Sequence, residues 1–334
     1  MVALAALAVP AAAGAQEPAP VSDHVTVGIS EQSPDLFEDP RFRTTGITNA
    51  RLIVPYDVVK RGGLWLHVTD VWLDRARRDG IEPLVSFSHS LVKRRQFRLP
   101  SVAGYAARVR EFRARYPWVN TFSTWNEANH KGTQPTGRHP RRVAVYYRAL
   151  KKQCVGCTVV AVEILLNHSW RTWRWIRRFR ERAGPGPYIF GLHNYPDVTR
   201  LRDLNTRLFM RRVPGAEVWL TETGGVVRFR HWRYNETRAG RAVGHVFKMA
   251  ATFPRVKRVY LYNWRADGNK RWDSGLISSD GILRRGFFEL LDALALDRFR
   301  PLTPVLEPLP EPASPPPEPP PPDPPPPPGG GPDD

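Results

Sequence analysis

Strand-like and helix-like segments alternate along the middle of this chain, and that alternation limits the folds open to it. Apolar residues recur at helical spacing in the intervening segments, as at Val68, Val71, Trp72 and Ala76. The runs with the length and composition of strands are residues 25–30, 50–56, 83–89, 119–125, 158–163, 188–195, 217–221 and 256–263.

Strands joined by helices run parallel, because each helix returns the chain to the starting edge of the sheet. Eight strand-plus-helix units predict an α/β protein with a single (β/α)8 TIM barrel, placed at residues 25–300. A doubly wound open sheet is the alternative. It is less favoured, since no Gly-x-Gly-x-x-Gly or Walker-type loop follows the first strand.

The two ends of the chain differ in composition from this middle part. Residues 1–15 have the apolar run and the Ala13-Gly14-Ala15 cleavage pattern of a secretory signal peptide without its basic front, and 16–24 form a short linker. A disordered leader on a cytosolic protein is the alternative. Residues 301–334 are rich in Pro and Gly, which predicts a disordered tail. We therefore expect a secreted or cell-wall-associated protein without a membrane span.

The chain has two cysteines, Cys154 and Cys157. They follow a predicted helix, whereas a redox Cys-x-x-Cys motif opens one, so a small structural disulfide is favoured over free thiols.

The formal net charge is +18, and only eight of the 50 basic residues are lysines. The arginines are spread over predicted helix surfaces and form no recognised nucleic-acid-binding motif, so no nucleic-acid partner is expected. Two alternatives stay open: a solvated surface, or attraction to an acidic cell-wall polymer. One such helix carries Arg174, Arg177, Arg178, Arg180 and Arg182.

Polar residues stand where several predicted strands end, and in a barrel the carboxyl ends of the strands form the active-site face. We expect these side chains to meet on one rim. They are His89 on the third strand, Asn126 and Glu127 on the fourth, His193 and Tyr195 on the sixth, Glu222 on the seventh, and Asn263 and Trp264 on the eighth.

Two of these strand ends also resemble a known group of enzymes. Trp125-Asn126-Glu127-Ala128-Asn129 resembles the Trp-Asn-Glu-Pro-Asn signature of clan A retaining glycoside hydrolases, and Thr221-Glu222-Thr223-Gly224 is similar to the nucleophile motif on their seventh strand. The likeness is to families of the type of 5, 39 and 128, over roughly residues 25–296. Ala128 departs from the usual Pro.

The resemblance implies a (β/α)8 barrel that hydrolyses O-glycosidic bonds of a polysaccharide or oligosaccharide without a cofactor. It implies Glu127 as acid/base and Glu222 as nucleophile. The other implied roles are Asn126 on the sugar 2-hydroxyl, Tyr195 and His193 beside the nucleophile, Arg51 orienting it, and Trp264 under the reactive sugar.

The chemistry of the two carboxylates sets further expectations. A general acid must hold its proton, so we expect apolar surroundings and the charge of Glu222 to raise the pKa of Glu127. Retention requires carboxyl groups about 5–5.5 Å apart. Trp232 and Trp272 fall in loops on the same face and are candidates to stack on sugar, with packing as the alternative.

No metal site is expected, because the histidines are scattered and no His-x-x-x-His pattern occurs. The expected partner is a carbohydrate, with an acidic or cell-wall glycan among the candidates. The sequence specifies no oligomeric state, no particular sugar, and neither endo nor exo action. The alternative function is a wall-associated carbohydrate-binding barrel with weak or no turnover.

Overall fold

The computed structural model describes residues 24–229, 232–268 and 271–295. The predicted signal peptide, most of the predicted linker, the end of the predicted barrel range and the proline-rich tail lie outside these residues. None of the helices in the described ranges has the length and apolar character needed to cross a membrane.

Eight parallel strands close into a barrel in the order β1-β2-β3-β4-β5-β6-β7-β9. This confirms the predicted α/β barrel, and each predicted strand corresponds to one barrel strand. The strands are β1 (Thr26–Ser30), β2 (Asn49–Pro55), β3 (Glu82–Ser88), β4 (Thr121–Ser123), β5 (Thr158–Leu165), β6 (Ile189–His193), β7 (Glu217–Thr223) and β9 (Val256–Tyr262). Two short strands, β8 (Arg228–Phe229) and β10 (Trp272–Asp273), pair antiparallel beyond the barrel.

Helices fill the connections between the strands. They are α1 (Pro40–Thr44), α2 (Val58–Arg61), α3 (Gly63–Arg78), α4 (Val102–Arg115), α5 (Pro140–Gln153), α6 (Trp170–Ala183), α7 (Tyr195–Val198), α8 (Leu204–Arg212), α9 (Glu236–Thr252) and α10 (Arg285–Ala293). Short 3-10 helices cover Pro34–Glu38 and Pro135–Arg138.

Local sequence fixes where several helices begin. The side chains of Ser101, Ser169 and Asn235 accept hydrogen bonds from backbone N–H groups in the first turns of α4, α6 and α9. These caps satisfy donors that have no partner inside a helix. Cys154 and Cys157 form the predicted disulfide just after α5.

Apolar side chains point to both sides of the barrel wall, toward the helices and into the barrel interior. Val85 belongs to the large core between the strands and the helices, whereas its neighbour Leu84 packs with Val160, Trp219 and Tyr260 in a separate cluster. Because successive side chains on a strand alternate between its faces, the smaller cluster lies inside the barrel. Tyr105, Tyr146 and Trp125 stack in the larger core.

Gly225 allows α9 to pack directly against the chain that leaves β7. A Cβ added at Gly225 would lie 1.9 Å from the carbonyl oxygen of Ala239, a backbone atom that cannot rotate away. We therefore expect Gly225→Ala to lower the free energy of unfolding by about 1–3 kcal/mol through overpacking. Urea denaturation measures the change.

Gly132→Ala is the matched control, since its nearest foreign atom would be 3.6 Å from the added Cβ. Equal denaturation midpoints for Gly225→Ala and the control would contradict the packing described at α9.

Candidate active site

Glu222 lies near the end of β7 and is held by two donors from other parts of the barrel. Arg51 on β2 donates from Nη1 to Glu222 Oε2 at 3.0 Å, and the Tyr195 hydroxyl donates to Oε1 at 3.3 Å. The Glu222 side chain is 12% exposed, so its carboxylate is reachable from the cleft while both oxygens have a donor. The structure thus brings together three residues that the sequence predicted for one site.

Arg51 is fully buried and binds a second carboxylate as well. Its Nη2 lies 2.6 Å from Glu163 Oε2, and Glu163, on β5, is also fully buried. Ser86 donates to Glu163 Oε1 at 2.6 Å. Asn126 Oδ1 accepts from Arg51 Nη2 at 2.7 Å, so the predicted asparagine is fixed by the same guanidinium. Burial of such charges is costly unless they are paired and hydrogen-bonded, as these are.

Glu163 is a site residue that the sequence analysis did not assign. It ended a predicted strand, as Glu127 and Glu222 do, but the motifs that carry the family resemblance lie on other strands. Burial raises the pKa of Glu163, yet Arg51 and His193 outweigh burial and bring that pKa down to about 2. Glu163 is therefore ionised at neutral pH, and it lies beneath the site.

Glu127 follows β4 and faces Glu222 from the opposite side of the cleft. Its backbone has a φ of 44°, in the left-handed region that non-glycine residues rarely adopt. Strain of this kind persists where the surroundings fix the conformation, and it is concentrated at functional sites. His193 Nδ1 lies 3.2 Å from Glu127 Oε1, and His130 Nδ1 lies 3.3 Å from Oε2.

The two imidazoles overturn the expectation that Glu127 has a raised pKa. Burial does raise it, but the hydrogen bonds to His130 and His193 outweigh burial and hold the pKa of Glu127 well below its usual range. The ring of Trp125, two residues before Glu127, is buried among tyrosines in the core. Glu127 is therefore expected to be ionised at neutral pH.

His193 ends β6 and is fully buried among three carboxylates. Its Nδ1 lies 3.8 Å from Glu222 Oε2 as well as near Glu127, and its Nε2 lies 3.6 Å from Glu163 Oε2. Burial alone would lower the pKa of His193, but the neighbouring carboxylates, Glu222 first, raise it to about 9. The site at neutral pH therefore holds two cations, Arg51 and His193.

A cleft of about 530 Å³ opens above these residues. Glu127, Glu222 and Tyr195 line it, together with the predicted Trp232 and Trp272. Trp272 packs edge-on against Tyr195, with ring centroids 5.0 Å apart, and it belongs to the small β8-β10 sheet. The β8-β10 sheet therefore places the ring of Trp272 in the wall of the cleft.

The residue that takes the place expected for Trp264 is Tyr262. Tyr262 lines the cleft, while Trp264 lies behind the barrel wall against Phe42 and Phe287 and donates to Asp39. The reason is that β9 ends at Tyr262, which pairs with Ser30, so the chain has already turned before Trp264. The expectation that Trp264 lies under the sugar is wrong.

Besides Trp264, five predicted residues are not part of the cleft lining: Arg51, Asn126, His193, Asn263 and His89. Asn263 is buried and bonds the Arg265 carbonyl and the Ser274 hydroxyl. His89 is half-buried, with Nδ1 3.3 Å from Gln134 Oε1. Both stand at the carboxyl ends of strands as predicted, but their side chains bind neighbouring loops.

Ligand-type atoms of Glu127, His193 and Glu222 all lie within 4.8 Å of one another, close enough for the three side chains to hold a metal ion. A histidine must be neutral to bind a metal. The raised pKa of His193 opposes metal binding, since its protonated ring has no free lone pair.

Comparison with solved structures finds the same barrel in several glycoside hydrolases. A family 39 glycoside hydrolase from Bacteroides cellulosilyticus WH2 is 15% identical with a TM-score of 0.52, over 83% of this chain and 64% of that one. Xylanase 10B from Thermotoga maritima is 13% identical with a TM-score of 0.59, over 81% and 95%.

An intracellular xylanase from Thermoanaerobacterium saccharolyticum is 11% identical with a TM-score of 0.61, over 82% of this chain and 99% of that one. No protein-family model matches the sequence, and no curated protein matches it. The chain has the barrel fold of clan A glycoside hydrolases, and no single family is assigned.

The buried histidine gives a pH-dependent contribution to stability. Because the pKa of His193 rises from 6.5 to about 9 on folding, its contribution is complete below pH 6.5 and is lost as pH rises through about 9. We expect the difference in unfolding free energy between the parent and His193→Gln to shrink over that range. Urea denaturation at several pH values measures it, and a constant difference would mean that His193 is neutral in the folded protein.

Proposed function

We propose that this protein is a retaining glycoside hydrolase that cleaves O-glycosidic bonds of a polysaccharide or oligosaccharide. One observation carries the proposal. Glu127 and Glu222, on the ends of β4 and β7, face each other in an aromatic cleft with carboxylate oxygens within 4.8 Å. Barrel active sites lie at this end of the strands.

The spacing supports retention of anomeric configuration. Inverting enzymes hold their carboxyl groups about 6.5–9.5 Å apart to admit a water, whereas retaining enzymes hold them about 5–5.5 Å apart. The carboxylate oxygens of Glu127 and Glu222 lie within 4.8 Å of each other, which fits the shorter range better than the longer one.

Glu222 is proposed as the nucleophile. One of its oxygens attacks the anomeric carbon, the bond from that carbon to the leaving oxygen breaks, and a covalent glycosyl ester forms. Arg51 and Tyr195 hold the two oxygens, so the carboxylate is oriented before the sugar arrives. Orientation of this kind lowers the entropic part of the barrier.

Glu127 is proposed as the acid/base, with His193 supplying the proton that the ionised carboxylate lacks. The His193 proton on Nδ1 passes to Glu127 Oε1 as the glycosidic oxygen takes a proton from Glu127. In the second step Glu127 removes a proton from water, the water oxygen replaces Glu222 at the anomeric carbon, and the proton returns to His193. Protons balance over the cycle.

Aromatic rings support a carbohydrate as the ligand. Tyr195, Tyr262, Trp232 and Trp272 line the cleft around the two carboxylates. Aromatic faces pack on the C–H surfaces of sugars, and carboxylates and hydroxyls bind their polar edges. The predicted signal peptide and the disulfide are consistent with an enzyme that acts outside the cell.

The alternative is a carbohydrate-binding barrel without turnover. The lowered pKa of Glu127 favours it, because an acid without its proton cannot assist the leaving group. The two functions differ in whether bound glycan is cleaved.

Substitution of each carboxylate separates these roles. We expect Glu222→Ala to abolish release of reducing sugar from a panel of plant, fungal and bacterial glycans. Glu127→Gln should lower the rate about 10²–10⁴-fold on natural glycans, and less on aryl glycosides whose leaving groups need no proton.

Glu111→Gln on the outer helix α4 is the control and should keep parental rates. Full activity in Glu222→Ala would reject the mechanism. Tight glycan binding by the parent without any cleavage would favour the alternative.

A further inference from the structure

A groove of about 780 Å³ runs between α6 and α8 on the outside of the barrel. The described residues that line it include no acid. They include Trp170, Trp173, Arg174, Arg177, Arg180 and Arg212. This is the arginine-rich helix of the sequence analysis, and the proposed reaction makes no use of it.

Four guanidinium groups face this groove. Arg174, Arg177 and Arg180 are spaced three residues apart on α6, so they lie on neighbouring turns of one helix face. Arg212 stands at the end of α8 on the opposite wall. An acid near them is Glu181, whose oxygen lies 3.7 Å from Arg177. The groove therefore carries an excess of positive charge.

Two tryptophans hold these arginines in place. The Arg212 guanidinium lies 4.9 Å from the centre of the Trp173 ring, and that of Arg174 lies 5.7 Å from the Trp170 ring. Stacking on an aromatic face fixes the plane of a guanidinium before a ligand binds. In addition, Arg180 Nη1 donates to the Arg212 carbonyl at 3.5 Å, which joins the two walls of the groove. The guanidinium groups are thus partly ordered before a ligand binds.

The catalytic cleft leads toward this groove over the loop between β5 and α6. His130 and Leu165 line both the cleft and a smaller cavity of about 150 Å³. That cavity is also lined by Lys131 and Arg171, and the groove begins at His168 on the same loop. A chain that extends out of the cleft in this direction passes Lys131 and Arg171 before it reaches the groove.

We propose that the groove binds an acidic polysaccharide, one that carries carboxylate or sulfate groups along its length. The guanidinium fork matches the geometry of both anions, and groups on successive turns of α6 can bind successive charges. The choice of a polysaccharide rests on the proposed function, since the groove and the cleft lie along one path. The site would hold the substrate chain beyond the point of cleavage.

Nucleic acid is the other polyanion to consider. Binding of single strands relies on aromatic faces that stack with bases. Here the Trp170 ring has Arg171 and Arg174 over it at 5.5 and 5.7 Å, and Arg212 covers Trp173. The aromatic faces are taken by guanidinium groups, which favours a ligand recognised through its anions.

Binding is tested without turnover, in a Glu222→Gln background. The probes are polygalacturonate, its fully methyl-esterified form, dextran sulfate, and a single-stranded oligonucleotide of matched charge, each followed by affinity electrophoresis. We expect polygalacturonate or dextran sulfate to bind and the methyl ester to bind at least tenfold more weakly. Arg174→Gln with Arg212→Gln should weaken acidic-glycan binding about tenfold, as expected for loss of two exposed ion pairs.

The matched control is Arg110→Gln with Arg148→Gln, which removes the same charge from exposed positions on α4 and α5. Equal weakening by the two double variants, or no weakening by the first, would overturn the proposal, as would absence of acidic-glycan binding. Tighter binding of the oligonucleotide through the same arginines would assign the groove to nucleic acid instead. Hydrolysis is measured separately, in the Arg174→Gln and Arg212→Gln double variant with Glu222 retained. Loss of groove binding with hydrolysis intact leaves the proposed function standing.

Discussion

The site depends on one buried cation. Arg51 has no exposed surface, and its guanidinium is shared between Glu163 below and Glu222 beside the cleft. Removal of one member of such a network leaves an unpaired charge in a low-dielectric interior, at a cost of about 3–5 kcal/mol. Arg51 therefore fixes both the ionised state of Glu163 and the position of Glu222.

The same cluster explains why the proposed reaction suits this barrel. Three carboxylates, Glu127, Glu163 and Glu222, surround two cations, Arg51 and His193. A transition state with oxocarbenium character brings positive charge next to Glu222 and Glu127. Preorganised charge of this kind stabilises the transition state without rearrangement of the protein.

Much of this arrangement was predictable from the sequence. The strand-plus-helix repeat predicts the barrel, and the barrel turns Glu127 and Glu222, far apart in the chain, into neighbours at one rim. Arg51 was predicted from family resemblance, and it does contact Glu222. The position of the two glutamates has one cause: residues at strand ends are placed by topology, which sequence periodicity encodes.

The features that could not be predicted depend on where a single strand ends and on how individual side chains are oriented. Tyr262 replaces Trp264 because β9 ends one residue earlier than expected, and strand ends are the least certain part of a pattern. Glu163 ends a predicted strand, as the two proposed catalytic glutamates do. Its role, however, depends on Arg51, which lies on another strand. The lowered pKa of Glu127 depends on where two histidine rings point, and periodicity does not encode ring orientation.

The central claim is that Glu222 forms a covalent bond to the sugar. Incubation with a panel of 2-deoxy-2-fluoroglycosides that have good leaving groups, followed by intact-mass measurement and peptide mapping, tests it directly. The account predicts one added glycosyl group, located on Glu222 and absent from Glu222→Gln. A glycosyl group mapped to any other residue, or glycan hydrolysis that gives the inverted anomer, would contradict it.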